Sequence, residues 1–230
     1  FYFRGDYGER RLKHPLFPDS PVESFDQLLL RSGGHDSWSI GSRFGRNPLR
    51  NLPPHGTIMR DQFLRKTEVQ MGILSPRGRY THLYINGRYW GIYDLHERAN
   101  AAFFESHLGG SEEDYDVLHH PTFFGEDYTV VDGNQTAWEE ARAIISGGVN
   151  SLSQYEAIQE YIDLDDYIDH LIVRMWSADY DWVGPIFRGG ANVTVFDNKN
   201  WYAGRRSRGK PGTFRFFTWD AEMAMGTHLM

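Results

Sequence analysis

The sequence predicts an α+β fold that is strand-rich in its N-terminal part and helical in its C-terminal part. Three observations carry this reading. Two runs of aromatic and β-branched residues, Thr81–Ile85 and Tyr89–Tyr93, flank Asn86-Gly87, a pair suited to the type I′ hairpin turn because both turn positions take positive φ. Three apolar-periodic stretches with polar residues at their starts then lie between Thr136 and Met175, as helices require. The chain finally returns to strand-like runs and closes on Thr213–Trp219, an aromatic segment followed by Asp220 and Glu222.

In chain order, Ser24–Arg31 is the most regular part of the first 58 residues, with Leu28, Leu29 and Leu30 as a buried strand. Arg60–Met71 places Phe63, Leu64 and Met71 around Thr67 and fits a modestly amphipathic helix. After the hairpin, a short helix is expected over Ala101–Leu108, stopped by Gly109-Gly110. Thr136 with Glu139, and Ser153 with Glu156, have capping-box spacing and open helices to about Ser146 and Tyr161. Asp163 caps a third, in which Leu164, Tyr167, Ile168, Leu171, Ile172 and Met175 recur at helical spacing. That stripe predicts the most buried helix of the chain. Strands are expected at Asn192–Phe196, Trp201–Ala203 and Thr213–Trp219.

Composition narrows the function. A chain of 230 residues, 40% hydrophobic and 15% aromatic, builds a sizeable core as one large domain or as two lobes sharing a cleft. The net charge of −7 with no basic stretch argues against nucleic acid as a partner. Arg205–Lys210 reads as a solvated turn, with contact to phosphate or an acidic substrate as the alternative. The absence of cysteine excludes disulfides, zinc–thiolate sites and thiol catalysis. No apolar run approaches the roughly 18 residues of a membrane span. The chain opens on Phe1 without Met and stops just past its acidic motif, so it reads as a fragment cut at both ends.

The chemistry-bearing residues fall late. Asp181-Trp182, Asn200-Trp201 and Trp219-Asp220 each set an oxygen-donor side chain beside a large aromatic. Hard divalent cations take oxygen ligands. Phosphoryl-transfer sites of the protein-kinase type use an Asp for the acceptor hydroxyl, then an Asn and a later Asp for metal, in the same order. Glu222 lies two residues past Asp220, on the same face if the strand persists. Arg31 and Asp36 read as structural hydrogen-bonding residues. His96, His119 and His120 lack metal-box spacing, and the serines lack a nucleophile-elbow pattern.

Several stretches together resemble the CotH kinase family. They are Leu30-Arg31-Ser32-Gly33-Gly34-His35-Asp36, the hairpin from Leu83 through Tyr89-Trp90-Gly91-Ile92-Tyr93 to Glu97-Arg98, and Leu108-Gly109-Gly110. Asp114-Tyr115-Asp116-Val117-Leu118, Asp132-Gly133-Asn134 and Trp219-Asp220-Ala221-Glu222 complete the set. The resemblance implies an atypical protein-kinase-like two-lobed fold, with 1–96 as the N-terminal lobe and 97–230 as the C-terminal lobe. It implies Mg²⁺-dependent transfer of phosphate from ATP to hydroxyls of a coat or surface protein, and an extracellular, cell-surface or spore-coat location. Asp181 would be the catalytic acid–base group. Asn200, Asp220 and Glu222 would hold metal, with Asn192 and Asn198 as alternatives to Asn200. Glu97 would border ATP. Residues 183–199 read as an insertion between Asp181 and Asn200, and the family's phosphate lysine would precede Phe1. The alternatives are an inactive coat or surface scaffold of the same fold, and a carbohydrate-binding or carbohydrate-processing surface protein.

Overall fold

The computed structural model describes residues 1–34, 36, 56–120, 128–179, 182–187 and 194–225, with the backbone alone for 183–187 and 194–198. Within them, β1 (Leu12–Lys13) pairs with β2 (Ser24–Phe25). A second antiparallel sheet has β5 (Arg88–Glu97) between β3 (Leu28–Arg31) and β4 (Gly78–Ile85). The β4–β5 turn is the predicted one: Asn86 and Gly87 stand at φ 51° and 77°, where Asn and Gly are tolerated best.

Helix α1 (Arg60–Met71) runs between β3 and β4 and stops at Gly72, which takes φ 97°. Its N-terminus is satisfied from outside the helix. Asp36 accepts the backbone N–H of Thr57 at 2.8 Å and of Arg60 at 3.1 Å, and pairs with the Arg60 guanidinium. The structural reading of Asp36 holds. Helix α2 (Ala101–Leu108) is capped by Asn100, whose Oδ1 accepts the Phe103 N–H at 3.1 Å. A 3₁₀ turn over Glu112–Asp114 leads into β6 (Tyr115–His119) and β7 (Thr129–Asp132).

Three helices follow: α3 (Thr136–Ser146), α4 (Leu152–Gln159) and α5 (Leu164–Trp176). Asp163 caps α5 as predicted. The other two starts differ. Thr136 is the first residue of α3, and its N–H is taken by Asn134 Oδ1 at 2.9 Å. Helix α4 starts earlier, with Ser151 as its cap accepting the Gln154 N–H at 3.2 Å. A hairpin of β8 (Val183–Phe187) and β9 (Thr194–Asn198) precedes β10 (Trp201–Arg206) and β11 (Arg215–Thr218). The main sheet is antiparallel in the order β11-β10-β6-β7. The described residues thus form a mixed α/β structure with five α-helices and antiparallel sheets. Among them no helix is long and apolar enough to cross a membrane.

The main sheet is covered on both faces, and strand alternation sorts its side chains between them. Tyr115, Val117 and Phe217 face α2 with Phe103 and Phe104. Leu118, Ala203, Phe214 and Phe216 face the other way, toward Ala141 of α3 and Ile158 of α4. Helix α5 corrects an expectation. Its apolar stripe is divided: Leu164 and Tyr167 pack against the core of the main sheet, whereas Ile168 and Ile172 are exposed and Met175 is 71% exposed, and the buried positions are His170, Val173 and Arg174. The physical reason lies across the interface. Helix α1 presents the carboxylate of Glu68 there, and His170 Nδ1 meets its Oε1 at 2.8 Å. A buried carboxylate without partners costs more than an exposed Ile.

Gly204 in β10 lies flat against the Phe104 ring, and a Cβ at that position would overlap the ring atoms. Phe104 is fully buried, so neither partner yields cheaply. Gly204→Ala is therefore expected to destabilise the fold by about 1–3 kcal/mol, as overpacking of a filled core does. A urea midpoint lowered at unchanged slope is the reading that checks it.

Candidate active site at the ends of β10 and β11

The site begins with α1. Asp61, Leu64, Arg65 and Glu68 share its buried face, so three of the four inward residues are charged. Each fixes a different part of the chain. Asp61 Oδ1 accepts the Ala221 N–H at 2.9 Å, just past β11. Arg65 donates to Asp61 at 3.1 Å and to the Pro76 carbonyl at 3.0 Å, and pairs with Asp94 of β5. Glu68 accepts the Thr218 N–H at 2.9 Å and its hydroxyl at 2.6 Å. Helix α1 thereby positions both ends of the segment 218–221.

Beyond β11 the chain turns sharply. Asp220 takes φ 55°, and Asn200, just before β10, takes φ 63°. Both lie in the left-handed region, which Asn and Asp enter at lower cost than other side-chain-bearing residues. The two positions are neighbours, because Trp201 pairs with Thr218 and the Trp219 N–H donates to Asn200 O at 3.0 Å. Asn200 Nδ2 lies 3.5 Å from the Asp220 carbonyl. Arg174, fully buried, holds the other side: its guanidinium donates to the Asn200 carbonyl and pairs with Asp179.

Arg31, the last residue of β3, joins the acids. Its Nη2 pairs with Asp220 and lies 2.9 Å from Glu222 Oε1, while Nη1 lies 3.7 Å from Asp61. The guanidinium stacks on the Trp219 ring, 4.9 Å from its centroid. Burial works against the charge on Arg31, but Asp61, Asp220 and Glu222 outweigh it and raise its pKa above the ordinary value. Burial likewise opposes ionisation of Asp61, yet Arg65, Arg31 and the Ala221 N–H hold its carboxyl well below the usual range. At Asp94 burial wins over Arg65 and the pKa is raised.

Of the residues expected from sequence, Asn200, Asp220 and Glu222 come together here. The acids share one partner, Arg31, although β11 ends at Thr218 and the chain turns at Asp220, so the persisting strand that the same-face reading required is absent. Asp181 lies outside the described residues. Its sequence neighbours Asp179 and Trp182 both contact Arg174, Trp182 through its ring at 5.8 Å. Glu97 is not brought to this cluster. It faces away from Asp94 and His96 on β5, where its carboxylate accepts the Arg77 N–H at 2.8 Å and meets His107 at 3.0 Å. Residues 183–199 contain the β8–β9 hairpin, with Val183 opposite Asn198, two strands where the sequence suggested one. The Lys199 N–H donates to the Trp182 carbonyl at 2.9 Å, so the chain departs and returns at one point. Sequence reasoning missed Asp61, Arg65 and Glu68, because charges at helical spacing ordinarily mark a solvated face.

The donor set of Asn200, Asp220 and Glu222 is all oxygen and fits a hard divalent cation such as Mg²⁺ in kind. Among the described residues, however, no group of three or more His, Asp or Glu side chains is disposed to hold a metal, since the carboxylates are turned onto Arg31. A separate polar cleft of about 380 Å³, lined by Asp116, Glu140, Glu160 and Arg205 among others, lies at the far end of β10 and shares no residue with the cluster.

His96 sits beneath the site, fully buried, 5.4 Å from the Trp219 ring and with Nδ1 at 2.7 Å from the Glu97 carbonyl. Its Nε2 has no hydrogen-bond partner. Burial, helped by Arg65, pushes its pKa from 6.5 down to about 3. Between those values the unfolded chain binds a proton that the folded protein refuses. Stability from this group is complete above about pH 6.5 and falls as the pH drops, by up to about 1.4 kcal/mol per pH unit. His170, lowered by burial, acts in the same direction. Urea midpoints measured from pH 7 to pH 4 are expected to fall steeply in the native protein and less steeply in His96→Gln.

The sequence from 41 to 229 matches the family described as CotH kinase protein. No curated protein matches the chain. The matched span contains α1, the main sheet, Asp181 and the cluster of Asn200, Asp220 and Glu222, while Arg31 precedes it. The chain belongs to the CotH kinase protein family.

Proposed function

We propose that the protein is a CotH-type phosphotransferase that moves the γ-phosphoryl group of ATP to a Ser or Thr hydroxyl of a coat or surface protein, with Mg²⁺. The observation that carries this reading is the convergence of Asn200, Asp220 and Glu222 at the paired ends of β10 and β11. Family membership supplies the reaction class, and the oxygen donor set suits the ion. The family's coat association favours a spore-coat or cell-surface location.

In this reading β3–β5 and α1 belong to an N-terminal lobe over 1–96, and the main sheet with α2 to α5 to a C-terminal lobe over 97–230. Asn200 and Asp220 would hold Mg²⁺, with Glu222 in support. The ion, when bound, would supply positive charge against the phosphates. Asp181 orients the acceptor hydroxyl and takes its proton. The hydroxyl oxygen then bonds to the γ-phosphorus, the bond to the β–γ bridging oxygen breaks, and ADP leaves. Glu97 acts at a distance, holding the β5–α2 corner through Arg77 and His107. A scaffold that keeps the fold without catalysis is the second reading. It is favoured by the engagement of both acids with Arg31.

Thermal unfolding with and without ATP plus Mg²⁺ separates the two. The native protein should gain stability by mass action, about 2.7 kcal/mol when ligand stands at a hundred times its Kd. Asp220→Asn, of similar shape, should lose that gain and all transfer of labelled γ-phosphate while unfolding cooperatively on its own. A folded native protein that gains nothing supports the scaffold instead.

A further inference from the structure

The acids assigned to the metal already have a cation. Arg31 Nη2 pairs with both Asp220 and Glu222, so Mg²⁺ and this guanidinium, two cations, would compete for the same carboxylates. Three features single Arg31 out as able to leave. Its side chain is 22% exposed, whereas Arg65 and Arg174 are 1% and 0% exposed and locked by carbonyl and carboxylate partners. It ends β3, so its guanidinium reaches the site from the edge of a sheet. It lies on the flat Trp219 ring, and its Nη1 makes no hydrogen bond. Asp61, which Arg65 already pairs, stays behind as a second anchor.

Resting on the nucleotide reading above, we propose that Arg31 is a resident counter-cation. Without nucleotide it neutralises Asp220 and Glu222 and holds them in place. On loading it cedes both carboxylates to Mg²⁺ and turns its fork to the nucleotide's phosphates, an anion that guanidinium geometry suits. The exchange keeps the carboxylates paired with positive charge at each stage. It also makes metal entry depend on nucleotide, because Asp61 is already paired by Arg65 and only the phosphates bring Arg31 a new anion.

The test is a titration of the nucleotide-free protein with Mn²⁺ alone, read by the electron paramagnetic resonance of free Mn²⁺. Beside it, Mg²⁺–ATP binding is measured by calorimetry. Arg31→Met should bind Mn²⁺ alone at least ten-fold more tightly than the native protein and Mg²⁺–ATP at least ten-fold more weakly. Arg31→Lys, which keeps the charge and loses the fork, should fall between. Unchanged or weaker Mn²⁺ binding by folded Arg31→Met, with Mg²⁺–ATP still bound by the native protein, overturns the counter-cation and leaves the nucleotide site standing. Native protein that binds no Mg²⁺–ATP removes the nucleotide reading itself, and this inference with it. Should Arg31→Met not fold, the Arg31 side-chain Nε resonance of the native protein decides. A shift on adding Mg²⁺–ATP, and none on adding Mg²⁺ alone, is expected. No movement at saturating Mg²⁺–ATP overturns the proposal.

Discussion

The rest of the structure hangs on the charged inner face of α1. A helix between two sheets ordinarily presents Leu and Ile to both. Here Asp61, Arg65 and Glu68 do that work, and each carboxylate or guanidinium reaches a specific backbone atom: Ala221 N, Pro76 O and Thr218 N. Apolar packing is tolerant of sliding, but a buried ion is not, since losing one partner costs about 3–5 kcal/mol. The ladder therefore gives α1 one register against β5 on one side and β11 on the other. Its neighbours complete the accounting. His170 closes Glu68, and Arg31 shares Asp61 with Arg65. Leu64, Val173, Ala221 and Ala224 seal the small apolar layer between the ions.

That fixed register explains how two left-handed residues persist side by side. Asn200 and Asp220 both hold backbone conformations that cost energy outside glycine. The surroundings over-determine them. Arg174 binds the Asn200 carbonyl, the Trp219 N–H binds the same oxygen, and Asp61 holds Ala221 directly after Asp220. Rigid strand ends with strained, multiply anchored residues are how a protein keeps ligand oxygens at set positions before a ligand arrives.

The sequence made local features legible where one residue pair decides the conformation. Asn86-Gly87 specified the hairpin, Asp163 the start of α5, and the aromatic run to Trp219 the strand that delivers Asp220 and Glu222. Other features depended on partners far away in the chain. The apolar stripe of α5 was expected inside, but Ile168, Ile172 and Met175 lie outward, and the position facing α1 goes to His170, which meets Glu68, 102 residues away. The cap of α4 moved to Ser151 because Gln154, at capping-box spacing from it, accepts the Asn150 N–H. Arg31 makes the structural hydrogen bonds expected of it, but its partners are carboxylates about 190 positions later. No local pattern records such a pairing.

The base of the β8–β9 hairpin has an evolutionary consequence. The chain departs at Trp182 and returns at Lys199 across one hydrogen bond, which closes the segment between them at its base. Closing a longer segment at such a point costs only about 0.6 kcal/mol for each doubling of its length. The enclosed sequence is free to grow, shrink or be exchanged while Asn200 stays where β10 puts it. A hairpin of another length, closed by the same Trp182–Lys199 bond, would leave that anchor where it stands.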